Sequence, residues 1–262
     1  MKKTARLLAL VSVSLLLLFG TAGAQTISEL TDGMYVGGEA LDGWGGYSLD
    51  VIGDRSIFDI SKVEVSTNET GYLFDIYTPF VSNIGIGGIV LGDLFLSTDG
   101  WNPYGEAPYR QDTASNGETW EYALVLDDHS GAKTSGDWSL YSVNTANIIL
   151  SDKLMGDYDT DENAYRRNQE VQYDGTGQTV VRTGSWSLFG DYLRFEIASD
   201  LFGENGPLAL KDSDEYGFHW TMTCANDVIE GSFAPVPEPA TMFLLGSGLL
   251  GLGAIRRKKR TA

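Results

Sequence analysis

An all-β fold, an antiparallel β-sandwich or jelly roll in one domain, is what this sequence predicts, and three observations predict it. Short segments rich in β-branched and aromatic residues recur along the middle of the chain. Clusters of Gly, Asn, Asp and Ser separate them. No stretch of a dozen residues among them repeats apolar residues at helical spacing, so the crossover helices that parallel strands need are missing.

The predicted strands run over 47–52, 57–65, 72–77, 86–96, 120–126, 138–143, 148–150, 179–182, 186–189, 192–197 and 218–223, with one short helix at 198–202. Gly85, Gly87 and Gly88 interrupt an apolar run and mark a bulge there. An internal echo pairs Gly136-Asp137-Trp138-Ser139-Leu140-Tyr141 with Gly184-Ser185-Trp186-Ser187-Leu188-Phe189. The match stops at those residues, which reads as two similar strands each planting a Trp, not as a solenoid repeat. Trp138, Trp186 and Trp220 are expected in the core.

Hydrophobic residues make up 42% of the 262 and aromatic ones 11%, enough to collapse a core and to exclude a disordered chain. The single cysteine, Cys224, excludes a disulfide scaffold and reads as a small buried apolar residue. Eight of the 18 basic residues but only one of the 36 acidic residues lie in the two ends, which leaves the body with a charge of about −25. Nucleic acid and anionic lipid are excluded as partners of the body by that charge.

The ends read as addresses. Residues 1–24 have a basic start (Lys2, Lys3, Arg6), an apolar run from Leu7 to Phe19 and the small-x-small site Ala22-Gly23-Ala24, the pattern of a secretory signal peptide cleaved before Gln25. Residues 25–234 form the exported body. Residues 235–262 contain Val236-Pro237-Glu238-Pro239, an apolar stretch from Ala240 to Ile255 and the cluster Arg256-Arg257-Lys258-Lys259-Arg260. Sixteen residues of helix span about 24 Å, a short transmembrane segment whose basic flank puts its C-terminus in the cytoplasm.

The Pro-Glu-Pro triplet, the short Gly- and Leu-rich span and the terminal Arg/Lys cluster resemble the PEP-CTERM sorting signal of bacterial exosortase substrates. The resemblance implies processing near Pro237 to Pro239 by a membrane exosortase. It also implies delivery to the surface or matrix of a Gram-negative bacterium that makes exopolysaccharide. An ordinary single-span anchor is the alternative. A fainter resemblance covers most of the body. The run Tyr192 to Ile197, Asp200-Leu201-Phe202, Tyr216 to Trp220 and Asn226-Asp227 looks like the closing section of DOMON-like or family-9-type carbohydrate-binding sandwiches. Phe58 to Ser61, Gly92 to Phe95 and Trp120 to Tyr122 fit the same order of elements.

Three groups of residues are candidates for chemistry. Asp157, Asp159 and Asp161 place carboxylates at alternate positions, the spacing by which a loop gathers oxygens around Ca²⁺; a solvated acidic hairpin gives the same pattern. Trp44, Trp101, Tyr104 and Tyr109 lie in Gly-, Asn- and Pro-rich loops, where aromatic rings can stack on sugar faces or pack inward. Asp127-Asp128-His129 follows a strand and reads as turn chemistry, because two histidines supply neither a zinc set nor a triad.

The expected protein is therefore exported, sorted by an exosortase and non-catalytic, a structural or glycan-binding component associated with exopolysaccharide, with Ca²⁺ as the one expected cofactor. Its expected partners are the export machinery, signal peptidase, the exosortase and exopolysaccharide, with membrane contact through the C-terminal span. The alternative is a carboxylate-based polysaccharide-degrading enzyme drawing two of its many acids into a cleft.

Overall fold

The computed structural model describes residues 25–32, 37, 50–156 and 165–235. The expected signal peptide, Trp44, the Asp157-Asp159-Asp161 loop and the C-terminal signal from Val236 onward lie outside the described residues.

The strands in chain order are β1 (Gln25–Thr31), β2 (Lys62–Thr67), β3 (Gly71–Tyr77), β4 (Leu94–Ser97), β5 (Tyr122–Leu126), β6 (Ser135–Ser142), β7 (Ile148–Leu150), β8 (Glu170–Tyr173), β9 (Arg182–Leu188), β10 (Tyr192–Ala198), β11 (Tyr216–Thr221) and β12 (Val228–Phe233). Two short helices, α1 (Arg55–Phe58) and α2 (Ser151–Met155), stand between strands. Ten strands form one antiparallel sheet in the order β1-β2-β3-β10-β9-β6-β5-β4-β11-β12, and β7 pairs with β8. The sheet folds over, so that Phe74 of β3 meets Phe233 of β12 edge-on at 4.9 Å and Phe218 of β11 at 6.2 Å. Its first and last strands approach where Leu30 of β1 fills the space beside Gly231 of β12. The result is an all-β sandwich made from one curled sheet.

Alternation places one side of the strands of the ten-stranded sheet in the core between its two halves. Val63, Val65, Phe74, Ile76, Leu193, Phe195 and Ile197 face Leu94, Leu96, Leu124, Phe218, Ile229 and Phe233, all buried. The echoed segments turn out to be partners. β6 and β9 pair with Trp138 opposite Gly184 and Trp186 opposite Gly136. Each glycine leaves room for the other strand's indole, since a β-carbon at Gly184 would collide with the Trp138 ring and one at Gly136 with the Trp186 ring. Trp138, Trp186 and Trp220 are fully buried, as their sequence context predicts.

The sequence reading differs from the fold in identifiable places. The expected strand 86–96 is a tight helical turn at Ile86–Gly88 followed by β4 from Leu94. Gly85, Gly87 and Gly88 adopt φ of +92°, +59° and +82°, which ends extended pairing there. The start of the expected strand 57–65 is α1, which Asp54 caps by accepting a hydrogen bond from Ser56 N–H at 2.9 Å.

Register gives the sandwich two poles. At one, Gln25 of β1 pairs with Thr67, Thr67 with Tyr72, and the Tyr72 ring lies 6.2 Å from Phe233 at the end of β12. At the other, Thr31 pairs with Lys62, Lys62 with Tyr77 and Tyr77 with Tyr192, while Asp227 before β12 accepts a hydrogen bond from Ile60 N–H at 2.5 Å.

Candidate functional site

The outward faces of the two half-sheets are treated in opposite ways. That of β4, β5, β11 and β12 is covered by the segment 98–121 and the β7–β8 hairpin, which bury Phe95, Trp120, Ala123, Val171, Tyr173 and Val228. Beneath this cover lies a polar cluster. His219, fully buried on β11, places Nδ1 2.7 Å from Glu230 Oε1 and Nε2 2.6 Å from the Glu170 carbonyl. Both partners accept, so both ring nitrogens donate and the imidazole is a cation facing a carboxylate. Burial alone would lower the His219 pKa, but the Glu230 carboxylate raises it above the usual histidine value. Trp101 Nε1–H donates to the second Glu230 oxygen at 2.9 Å, closing the cluster. The Glu170 carboxyl beside it is pushed by burial up to about 7.

A second buried carboxylate, Asp93, fastens the cover at its edge. It accepts from Leu126 N–H at 3.0 Å, Tyr173 N–H at 2.9 Å and His129 Nε2 at 2.7 Å. His129 thus serves the fold, and its neighbour Asp127 accepts from Trp186 Nε1–H at 2.8 Å.

The outward face of β2, β3, β10 and β9 carries side chains that reach solvent. Lys62, Tyr77 and Tyr192 stand in register across three strands, and Phe189 continues the row through its backbone bond to Tyr192. The Tyr77 and Tyr192 rings lie 4.9 Å apart, and Phe189 stacks on Tyr192 at 4.6 Å with an interplanar angle of 16°. Lys62 Nζ sits 4.6 Å over Tyr77 and the Arg194 guanidinium 5.2 Å from Phe189. Asp75 holds Arg194 in a bidentate pair, both contacts 2.6 Å, while Lys62 pairs with Glu29 and Glu64. Each cation is therefore matched by carboxylate, and the row is close to neutral in a strongly acidic protein. Phe189, 43% exposed, ends it.

The loop aromatics are divided. Trp101 and Tyr109 meet edge-on at 5.4 Å and pack on Val171, Ala225 and Val228. Tyr104 is 48% exposed. Sequence reasoning missed the Tyr77-Tyr192-Phe189 row because Tyr77 is 115 residues from Tyr192 and meets it only through the β3–β10 pairing; the alternation of aromatic and apolar residues in those strands was the available signal.

A third grouping lies at the pole away from the chain ends. Asp32, Asp50 and Asp227 bring carboxylate oxygens within 4.8 Å of one another. Arg166 reaches the same place, donating to the Gly37 carbonyl at 2.8 Å and to the Asp50 carbonyl. Burial, and then Asp32, hold the Asp227 pKa well above the usual carboxylate value. Among the described residues this is the set whose oxygens are placed to hold a divalent cation, and its members come from three distant segments.

The C-terminal end of the body runs straight from β12 into the segment that identifies the chain's destination. Residues 235–258 match the PEP-CTERM protein-sorting motif. The chain carries a PEP-CTERM sorting signal. That signal marks it for export and for membrane-anchored sorting by an exosortase, and it begins two residues after Phe233. Among curated proteins and solved structures, none matches the chain, so the carbohydrate-binding-sandwich resemblance rests on the residue pattern alone.

Proposed function

We propose that this exosortase-sorted surface protein is a non-catalytic component of the cell surface or extracellular matrix of a Gram-negative bacterium, where it binds exopolysaccharide. The observation that carries this reading is the solvent-facing row of Tyr77, Tyr192 and Phe189, rimmed by Arg194 and Lys62. Rings offer apolar area to the C–H faces of sugars, while phenol hydroxyls and planar charged groups bond their hydroxyls. Charge matching within the row suits a neutral glycan. Tyr104 sits in the segment that covers the opposite face, away from this row, and Ca²⁺ at Asp32, Asp50 and Asp227 is the accompanying ion. Co-sedimentation of residues 25–235 with the producer's exopolysaccharide, in calcium and in chelator, tests the reading. Binding that Tyr192→Ala weakens supports it, and equal recovery of wild type and variant in the pellet speaks against it.

The aspartate trio also favours a second reading, a carboxylate-based polysaccharide-degrading enzyme. Two carboxyls about 5 Å apart suit a retaining glycosidase. Both Asp227 oxygens, however, accept backbone N–H groups, from Val228 at 3.0 Å and Ile60 at 2.5 Å, which suits a fixed ligand better than a nucleophile. Release of reducing ends by wild type but not by Asp50→Asn would favour the enzyme.

A further inference from the structure

Two facts about the chain ends constrain how the domain stands. β1 starts at Gln25, and its pairing through Thr67 and Tyr72 places that start at the pole where β12 ends. Phe233, the last residue of β12, is held there, with its ring 4.9 Å from Phe74, 5.1 Å from Tyr216 and 6.2 Å from Tyr72. The tether to the membrane therefore begins at a fixed point of the fold.

Its length decides the orientation. From Phe233 to Ala240, where the apolar span begins, the chain covers at most about 25 Å when fully extended. The headgroup layer takes about 5–7 Å of that. Strands such as β3, seven residues long, set a pole-to-pole distance of roughly 22 Å. Turning the opposite pole to the membrane would require the tether to run back along the whole domain and then through the headgroups, about 28 Å in total. The tether is too short.

We infer that, while the chain is membrane-anchored, the pole of Gln25, Tyr72 and Phe233 is held against the membrane surface and the pole of Lys62, Tyr77, Tyr192 and Asp227 points away from it. The inference rests on the sorting reading of the tail and deepens the function proposed above, since the aromatic row and the aspartate trio then stand on the side open to the matrix. The membrane-side pole exposes Glu69, Glu204, Asp212 and Asp214 against Lys211. Anionic headgroups repel this pole as they do the rest of the acidic body, so the short tether, and no attraction, keeps it on the membrane side.

Fluorescence quenching in proteoliposomes tests the orientation. The full chain carries Pro237→Ala and Pro239→Ala to hold it unprocessed, and a fluorophore is attached at Glu69→Cys or at Asp191→Cys, which stand at opposite poles. Cys224 is buried, with its thiol pushed up by burial to about 12, and stays unlabelled. A quencher fixed to lipid headgroups should quench the probe at residue 69 several-fold more than that at 191. Ten Gly/Ser residues inserted between Ala234 and Pro235 should reduce the difference. Equal quenching without the insert, or stronger quenching at 191, overturns the orientation. Continued processing of the double proline variant in cells would instead count against the sorting reading, and the quenching result would stand independently of it.

Discussion

The two outward faces of the curled sheet are built from strands of the same kind and end up in different solvents. The face of β4, β5, β11 and β12 is sealed by 98–121 and β7–β8 and turns its polar residues into a closed network of His219, Glu230 and Trp101. The face of β2, β3, β10 and β9 meets water through Lys62, Tyr77, Tyr192 and Phe189, pairing Lys62 with the part-exposed Glu64 and a part-exposed Arg194 with the buried Asp75. Identical residue types therefore carry different weight. A buried carboxylate loses its water and must be fully bonded, as Asp75 is by Arg194, whereas Glu64 and Glu29 beside Lys62 keep solvent as an alternative partner. Stability should concentrate on the covered face and recognition on the open one.

Breaking that contrast starts with Glu230→Ala. It strands the buried His219 cation, so a loss of about 3–5 kcal/mol is expected in denaturant melts. A loss below about 1 kcal/mol would show that the covered network contributes no more than a surface pair.

The pH dependence has the next largest effect. Glu170, raised from 4.5 to about 7, is protonated in the folded protein while the unfolded chain ionises, so stability present at pH 4.5 is lost as pH rises towards 7. His219, raised above 6.5, stays charged in the fold after the unfolded chain has lost its proton, and its contribution fades as pH climbs through the raised value. The exposed carboxylates with lowered values, Asp54 and Asp128 among them, have finished titrating below this window. The protein should be more stable at pH 5 than at pH 8 by up to about 3 kcal/mol, and Glu170→Gln should flatten the slope.

The pole where the halves meet sharpens the comparison. Calcium at about a hundred times its dissociation constant should raise stability by about 2–3 kcal/mol, measured as a shift in thermal melting, and Asp50→Asn should abolish the shift. A melting temperature indifferent to calcium would remove the ion from the proposed function.

On the open face, Tyr192→Ala should cost only about 1 kcal/mol of stability while reducing exopolysaccharide binding about tenfold. Trp101→Ala should do the reverse, lowering stability through the lost Glu230 bond with little effect on binding. Exchanged outcomes for these two variants would reassign the glycan site to the loops.

What could be read in advance follows the strength of local signals. Strands β3, β7 and β10 are rich in aromatic and large aliphatic residues and lie within a residue of their expected bounds. β12 escaped notice because Val228–Phe233 contains a charged Glu230 and Gly231, which read as a loop; both are tertiary requirements, one for His219 and one for Leu30. β1 is an edge strand whose sequence, QTISELT, shows little apolar content. Among site residues, the loop aromatics were legible by composition, yet nothing local separates Trp101, whose N–H is bound to Glu230, from exposed Tyr104.

By itself the sequence determined the destination and the class of fold. A sorting motif is read as a linear string by its enzyme, and strand alternation is a local property of neighbouring residues. Only the tertiary structure decided which aromatics meet, which carboxylates converge and which half-sheet is covered. Tyr77 meets Tyr192, and Asp32 meets Asp227, through the order in which strands pair and the way the sheet curls. Those pairings join residues far apart in the chain, and no local pattern encodes them.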